Sequence, residues 1–380
     1  MAGLTVLLAA GGTGGHLFPA EALAIELRAR GASVHLATDV RGMKYVGFFP
    51  ADSMTSIDAT TFRSRSPVAL VRTVWTLAKG FFKAWVLVGK LKPDLVIGFG
   101  GYPSVAPVLA GWMRGVPTLV HEQNGVIGRA NAFLSHRVTG IATGLKTVKG
   151  ISAVLEKKVS NVGNPVRPNV LKVKDVPFPT LEALEEHFQF RVLVTGGSQG
   201  ASVMSDILPQ AMAMLPEKQR RCLRIVHQAR GEDLERARAA YETAGVTVEL
   251  AAFFDDLPAR IANSHLVIGR AGASTVAELA VIGRPSILVP LPTAIDQDQA
   301  ANAASLGDIG GAIVVRQSDV TPGWLAGKLL ELLENPKRLT DSGIAAKSAG
   351  IPDAARRLAD LVETVARTKP SKKSRKEKTR

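Results

Sequence analysis

Cysteine is almost absent: the 380 residues contain one, Cys222. A lone thiol excludes an intrachain disulfide and a cysteine-ligated metal cluster, and it fits a reducing cytoplasm. No G-x-x-x-x-G-K-[ST] string occurs, which excludes a P-loop. The opening MAGLTVLLAAGGTGGH lacks a basic n-region and runs directly into a glycine-rich turn, so it reads as neither a secretory signal nor a transit peptide. Residues 95–113 carry no charge and match the length of a membrane helix. Gly98, Gly100, Gly101 and Pro103 would break such a helix at its centre, so a buried strand, a glycine loop and a new helix are expected instead. Acidic residues are missing between Asp58 and Asp94, where Arg63, Arg65, Arg72, Lys79, Lys83, Lys90 and Lys92 are all basic.

What is present is ample apolar surface. Hydrophobic residues make up 46% and charged residues 21%, which supports real cores and confines disorder to local segments. The length suits two domains and a connector. Net charge is +14, of which the last twelve residues, KPSKKSRKEKTR, carry +6. The remaining +8 favours an anionic partner. The tail has no apolar residue to pack, so 368–380 reads as a disordered basic arm attracted to lipid headgroups or nucleic acid, or as a plain solvated tail.

One local design occurs three times: an aliphatic run, a glycine-rich turn, then a helical stretch. The copies are LTVLLAAGGTGGH (4–16), DLVIGFGGYPS (94–104) and FRVLVTGGSQGA (190–201). Apolar strands alternating with helices imply parallel sheets covered on both faces, the doubly wound α/β class, and two Rossmann-like domains joined near VGNPVRP (162–168). Each turn brings backbone N–H groups and a helix N-terminus to the carboxyl end of a strand, where phosphate binds in such sheets. His16 stands at the mouth of the first helix, able to move a proton or bond a phosphate, or merely to sit in solvent.

A dinucleotide fingerprint fails on its third glycine, because the frame Gly12-Thr13-Gly14-Gly15-His16-Leu17 puts Leu17 there. Asp39, after SVHLAT, still leaves a ribose clamp and a nicotinamide enzyme as an alternative. In RAGASTVAELA (270–280), Ser274 or Thr275 can cap a helix, and Glu278 can accept both hydroxyls of a ribose or simply close a capping box with Thr275. DQDQAAN (296–302) offers amides for sugar hydroxyls, and its Asp296-x-Asp298 pair alone is too little for a metal site.

At about 100° per residue, Arg72, Lys79, Lys83 and Lys90 fall within about 20° of one helical line. Trp75, Phe82 and Val86 flank that line, and Leu70, Phe81 and Trp85 turn inward. Such a stripe suits an anionic membrane interface, against the plainer reading of a lysine-rich solvated face. Gly80 and Gly89 count against one unbroken helix.

GGTGGH (11–16), GFGGYPS (98–104), HEQNG (121–125), VGNPVR (162–167), GGSQGA (196–201), RAGASTVAE (270–278) and IPDAA (351–355) follow one another along nearly the whole chain. In this combination the sequence resembles the MurG family of bacterial N-acetylglucosaminyltransferases. The resemblance implies the GT-B fold, two Rossmann-like doubly wound domains facing a cleft. It sets an acceptor- and membrane-facing domain at 1–163, with a helix at about 351–367 returning to it, and a UDP-GlcNAc-binding domain at 164–345. It implies a hexosyltransferase that moves N-acetylglucosamine from UDP-GlcNAc, with inversion, to the 4-hydroxyl of MurNAc in undecaprenyl-pyrophosphoryl-MurNAc-pentapeptide, lipid I to lipid II. That is a step of peptidoglycan synthesis, tied to cell shape and division, at the cytoplasmic face of the inner membrane.

Carried over residue by residue, the resemblance brings Thr13, Gly14, Gly15 and Asn124 to the sugar and diphosphate. Arg167, Ser198 and Gln199 lie on the nucleotide side, Glu278 at the ribose, and Phe254 at the uracil through its main chain. Gln299 approaches the donor sugar, although the family commonly has paired glutamines where this chain reads Asp298-Gln299. His16 and Glu122 are the two titratable candidates for the base, and Glu122 can instead anchor a loop or orient His16. No metal, cofactor or nucleic acid is implied; lipid I, an anionic membrane and other cell-wall proteins are. A UDP-sugar epimerase and a non-catalytic sugar-nucleotide or membrane-binding protein are the alternatives.

Overall fold

The computed structural model describes residues 3–12, 14–43, 49–58, 67–180, 189–197, 202–292 and 297–368, with the side chains of 67–72 left aside. The tail from 369, Thr13, Ser198, Gln199 and the Arg72 side chain therefore lie outside the described residues. The chain divides into two compact units, Met1–Arg167 with Asp353–Arg380, and Pro168–Pro352.

The first unit holds a parallel sheet of β1 (Thr5–Ala9), β2 (Ser33–Thr38), β3 (Ser53–Ser56), β4 (Leu95–Gly98), β5 (Thr118–Glu122), β6 (Gly140–Thr143) and β7 (Val159–Asn161). Their order is β3-β2-β1-β4-β5-β6-β7. Side chains alternate between the two faces, and both faces are apolar. Val6 and Leu8 pack with Leu17, Leu23 and Leu27 of the helix Gly14–Ala29 and with Leu358 and Val362 of the helix Ala354–Arg367. Leu7 and Ala9 face the other way, onto Ala84, Val88, Val108 and Leu134. The terminal helix is thus part of this unit's core, and Arg30 ties it further through Asp360 at 2.7 Å and Glu363 at 3.2 Å.

The second unit repeats the plan with β8 (Phe190–Thr195), β9 (Leu223–Gln228), β10 (Val248–Ala251), β11 (Leu266–Gly269), β12 (Ser286–Leu288) and β13 (Ala312–Val314), ordered β10-β9-β8-β11-β12-β13. The tetrapeptide LVIG serves twice, as β4 and as β11, beside the first strand of each sheet. Its terminal glycine is required by close approach. A Cβ on Gly98 would lie 2.8 Å from Val108 Cγ2, and one on Gly269 would lie 2.6 Å from the Thr195 carbonyl oxygen.

The division between units, after Arg167, falls within the connector 162–168, whose first part packs on the first unit. Gly163 donates its N–H to the Thr143 carbonyl at 3.2 Å, and the Arg167 guanidinium lies 4.4 Å from the Phe18 ring. At the other end, residues 346–352 stay with the second unit, where Lys347 Nζ donates to the Lys174 carbonyl at 2.6 Å.

Residues 95–113 form a strand, a glycine turn and the helix Tyr102–Met113, and no helix among the described residues is long and apolar enough to cross a membrane. The helix Pro67–Leu91 runs unbroken through Gly80 and Gly89, contrary to the expectation that they interrupt it. Packing explains both. A Cβ on Gly80 would collide with the Asp58 carbonyl, and one on Gly89 would lie 2.6 Å from the Arg114 guanidinium.

Candidate active site

In the first unit, the loops after β1, β4 and β5 meet at the carboxyl edge of the sheet. Gly12 takes φ +86°, a left-handed conformation that turns the chain into the helix beginning at Gly14. His16 occupies that helix's first turn. Its Nδ1 donates to the Gly11 carbonyl at 3.1 Å. A carbonyl only accepts, so the neutral ring carries its proton on Nδ1 and its basic lone pair on Nε2. The ring lies against the second glycine loop, where a Cβ on Gly100 would approach His16 Nε2 to 3.3 Å and one on Gly101 would approach Nδ1 to 3.4 Å.

Glu122 ends β5 and is buried. Its Oε1 accepts from the Asn124 backbone N–H at 3.0 Å and the Asn124 side-chain amide at 3.2 Å. Its Oε2 accepts from the Gly128 N–H at 2.9 Å and from Asn131 Nδ2 at 2.8 Å. Asn131 also donates to the His121 carbonyl at 3.1 Å and lies beside Gly100. The carboxylate thus ties the HEQNG loop together and, through Asn131, braces the wall on which His16 rests.

His121 is fully buried. Gln123 Nε2 donates to its Nδ1 at 3.1 Å, and its Nε2 donates to the Gly163 carbonyl at 3.0 Å, fastening the connector to β5. Burial pushes this imidazole down to about 4, and likewise that of His227, which meets the Tyr241 hydroxyl at 3.0 Å in the second unit. Both stay neutral in the fold and gain a proton on unfolding. Their contribution to stability should therefore fall as pH drops from 6.5 to about 4 and change no further below that value. Each pKa unit is worth about 1.4 kcal/mol. Urea midpoints across the window check this: His121→Gln should flatten the slope, and a midpoint independent of pH would contradict it.

The second unit builds its own edge. After β8, Thr195 Oγ1 donates to Gln228 Oε1 at 2.9 Å and accepts from the Gly197 N–H at 3.3 Å, so the glycine turn is fixed to β9. Phe254 is buried, with its ring under the Arg260 guanidinium at 4.1 Å. After β11 the helix Ala273–Ile282 starts from Gly272, with no side-chain cap. Ser274 and Thr275 are therefore inside the helix, the capping-box alternative for Thr275 and Glu278 falls away, and Glu278 sits buried one turn further on. Gln299 Oε1 accepts from the Leu291 N–H at 3.1 Å, bracing the loop after β12. Asp298 Oδ1 accepts from the Gln299 N–H at 2.8 Å, while its expected companion Asp296 lies outside the described residues.

Sequence reasoning missed Arg270, whose guanidinium donates to the Val289 carbonyl at 3.0 Å, the Pro290 carbonyl at 3.3 Å and Gln317 Oε1 at 2.6 Å. Its bonds go to neutral acceptors in other loops, a role that carries no local signature. Asp39 was a ribose clamp only in the nicotinamide alternative. Its Oδ1 accepts from the N–H groups of Gly12 and Gly42, and its Oδ2 from Arg41 Nε, so the carboxylate is engaged by the chain itself.

On the helix Pro67–Leu91, Trp75 is 73% exposed and Phe82 68% exposed; Lys79, Lys83 and Lys90 are exposed as well. Trp85 is drawn inward beneath Arg114 at 4.1 Å. Trp112, Met113 and Phe133 add exposed apolar surface not anticipated from sequence, with the Arg137 guanidinium 4.7 Å from the Phe133 ring.

The two parallel sheets, with glycine turns at their carboxyl edges, give the GT-B fold. The chain matches the glycosyltransferase family 28 N-terminal domain over residues 6–143 and the family's C-terminal domain over 191–358. It is 53% identical over 361 residues to a Brucella canis protein named UDP-N-acetylglucosamine--N-acetylmuramyl-(pentapeptide) pyrophosphoryl-undecaprenol N-acetylglucosamine transferase, covering 95% of this chain and 94% of that one. The protein of the same name from Mesorhizobium japonicum is 51% identical over 369 residues, 97% of each chain. The crystal structure of Acinetobacter baumannii MurG aligns with a TM-score of 0.76 at 30% identity, covering 95% of this chain and 99% of that one. The chain belongs to the MurG family. A Listeria monocytogenes structure described as a putative UDP-N-acetylglucosamine 2-epimerase aligns with a TM-score of 0.67 at 15% identity, which shows a shared fold alone.

Proposed function

We propose that this chain transfers N-acetylglucosamine from UDP-GlcNAc to the 4-hydroxyl of MurNAc in undecaprenyl-pyrophosphoryl-MurNAc-pentapeptide, with inversion at the anomeric carbon. The observation that carries this reading is kinship above 50% identity, spanning both units, with proteins whose name states that transfer. In cells depleted of this chain, the undecaprenyl-linked monosaccharide should accumulate; unchanged levels would count against the proposal.

In this reading the second unit holds the nucleotide, with Ser198 and Gln199 in the glycine loop, the Phe254 main chain at the uracil, Glu278 at the ribose hydroxyls and Gln299 at the donor sugar. We assign Thr13, Gly14, Gly15 and Asn124 to the sugar and diphosphate. His16 Nε2 removes the acceptor hydroxyl proton as that oxygen attacks the anomeric carbon, and the bond to the diphosphate breaks to release UDP. Helix N-termini behind the glycine loops, together with Arg167, stabilise the departing charge. The tautomer fixed by Gly11 supports His16 as the base, and the four bonds received by Glu122 support a positioning role for that residue.

Glu278→Ala should weaken UDP binding by about 1.5–3 kcal/mol, the worth of hydrogen bonds to a charged group. Calorimetry giving an unchanged Kd would remove Glu278 from the nucleotide site.

A lipid-linked acceptor requires contact with a membrane. We assign that contact to Arg72, Trp75, Lys79, Phe82, Lys83 and Lys90, extended by Trp112 and Phe133, at the cytoplasmic face of the inner membrane. Basic residues at an anionic surface contribute about 1 kcal/mol each, so reversing the four charges should release most of the protein from anionic vesicles, and high salt should do the same. Deleting 369–380 should weaken sedimentation less, since that segment has nothing apolar to insert. A charge-reversed stripe that still sediments at moderate salt would show that the surface lies elsewhere.

A further inference from the structure

Asp39 directly follows β2 and is buried at the base of the first glycine loop. Its Oδ1 accepts from the Gly12 N–H at 3.1 Å and from the Gly42 N–H at 2.7 Å. The Gly12 N–H and the Gly11 carbonyl belong to one peptide group, and that carbonyl accepts from His16 Nδ1 at 3.1 Å. A carboxylate, one peptide and an imidazole are therefore joined in series. The peptide is caged as well. A Cβ on Gly11 would come 2.9 Å from Pro103 Cγ and 3.0 Å from Asp39 Oδ1, and one on Gly42 would come 3.3 Å from Gly11 Cα.

We propose that Asp39 is a positioning residue that acts on His16 through the Gly11–Gly12 peptide, holding its tautomer and stabilising its protonated form. The inference rests on the reading of His16 as the base. A carboxylate bonded to an amide N–H draws electron density toward the carbonyl at the other end of the same group, making it a stronger acceptor. When Nε2 takes a proton, the bond from Nδ1 to that carbonyl becomes charge-assisted, and Asp39 supplies the distant counter-charge. The arrangement does what a carboxylate bonded directly to a catalytic imidazole does, with one peptide interposed. Arg41 Nε takes Oδ2 at 3.0 Å with its side chain 60% exposed, so solvent screens its opposing charge. Among the described residues, the elements around the loop also carry Glu21, Glu26, Arg28, His35, Tyr102, His121, Glu122 and Arg167, and Asp39→Asn removes the charge of Asp39 alone.

Asp39→Asn preserves shape and an acceptor oxygen while removing the charge. In full-length enzyme that keeps its melting temperature, this variant should lower kcat by about tenfold, the worth of one weakened charge-assisted bond. KM for both substrates should stay nearly unchanged, and the acid limb of the pH–kcat profile should move to lower pH. In a His16→Gln background the same change should add nothing. A raised KM with an unmoved acid limb, or an equal loss of kcat without His16, would overturn the inference. Nitrogen NMR of the wild-type protein gives a check that needs no variant to fold: neutral His16 should carry its proton on Nδ1, and a proton on Nε2 would equally overturn it. If His16→Gln alone keeps near-normal turnover, the reading of His16 as base fails. The link to Asp39 is then judged by NMR titration of His16, which Asp39→Asn moves to lower pH if the link exists and leaves in place if it does not.

Discussion

Replacing His16 with alanine should lower kcat by about 10²–10⁴ while UDP affinity changes little. The expectation follows from position. The ring stands in the first turn of a helix, anchored through Nδ1 to Gly11 and backed by Gly100 and Gly101, with its lone pair on Nε2. The side chain is half-buried, so the melting temperature measured beside turnover distinguishes lost chemistry from lost fold. Near-normal turnover would remove His16 as the base and point to another group or to deprotonation assisted by the substrate.

Glu122→Ala should behave differently, losing both stability and activity. Its carboxylate satisfies the donors of Asn124, Gly128 and Asn131, and an unmet buried donor costs about 1–3 kcal/mol. A loss of about 3 kcal/mol lowers the melting temperature of a unit this size by about 6–12 °C. Glu122→Gln should recover part of that loss, because the amide keeps one acceptor oxygen but points an N–H at donors on its other side. If Glu122 were itself the base, Glu122→Gln would recover stability yet lose turnover as severely as alanine does. Thermal denaturation beside turnover separates the two.

The architecture was legible because its signal is repetitive and local. The buried strand LVIG, a glycine and a helix start announce a parallel sheet wherever they occur, and they occur in both units. The places where the sequence misled are those where a residue's partner is a backbone group far along the chain. Asp39 bonds an N–H 27 positions away, and neither its residue type nor its spacing distinguishes that from a ribose clamp. Gly80 and Gly89 looked like helix breakers because the carbonyl of Asp58 and the guanidinium of Arg114, which exclude a Cβ there, are distant in sequence. At Ala273–Ile282 the capping pattern was present in the letters, yet the helix begins one turn earlier at Gly272, where the glycine loop bends. Family resemblance supplied roles for Gln299 and Phe254 that their chemistry alone does not specify. The structure adds that Gln299 also braces Leu291 and that the Phe254 ring serves the core.

The most direct test of the central claim is transfer of labelled sugar by the purified chain. Given UDP-[¹⁴C]GlcNAc and a lipid-linked MurNAc-pentapeptide, it should release UDP and form a labelled, inverted disaccharide lipid in equal amounts, and His16→Ala should abolish most of both. UDP-GlcNAc consumed without label reaching the lipid, as by an epimerase or a hydrolase, would contradict the account.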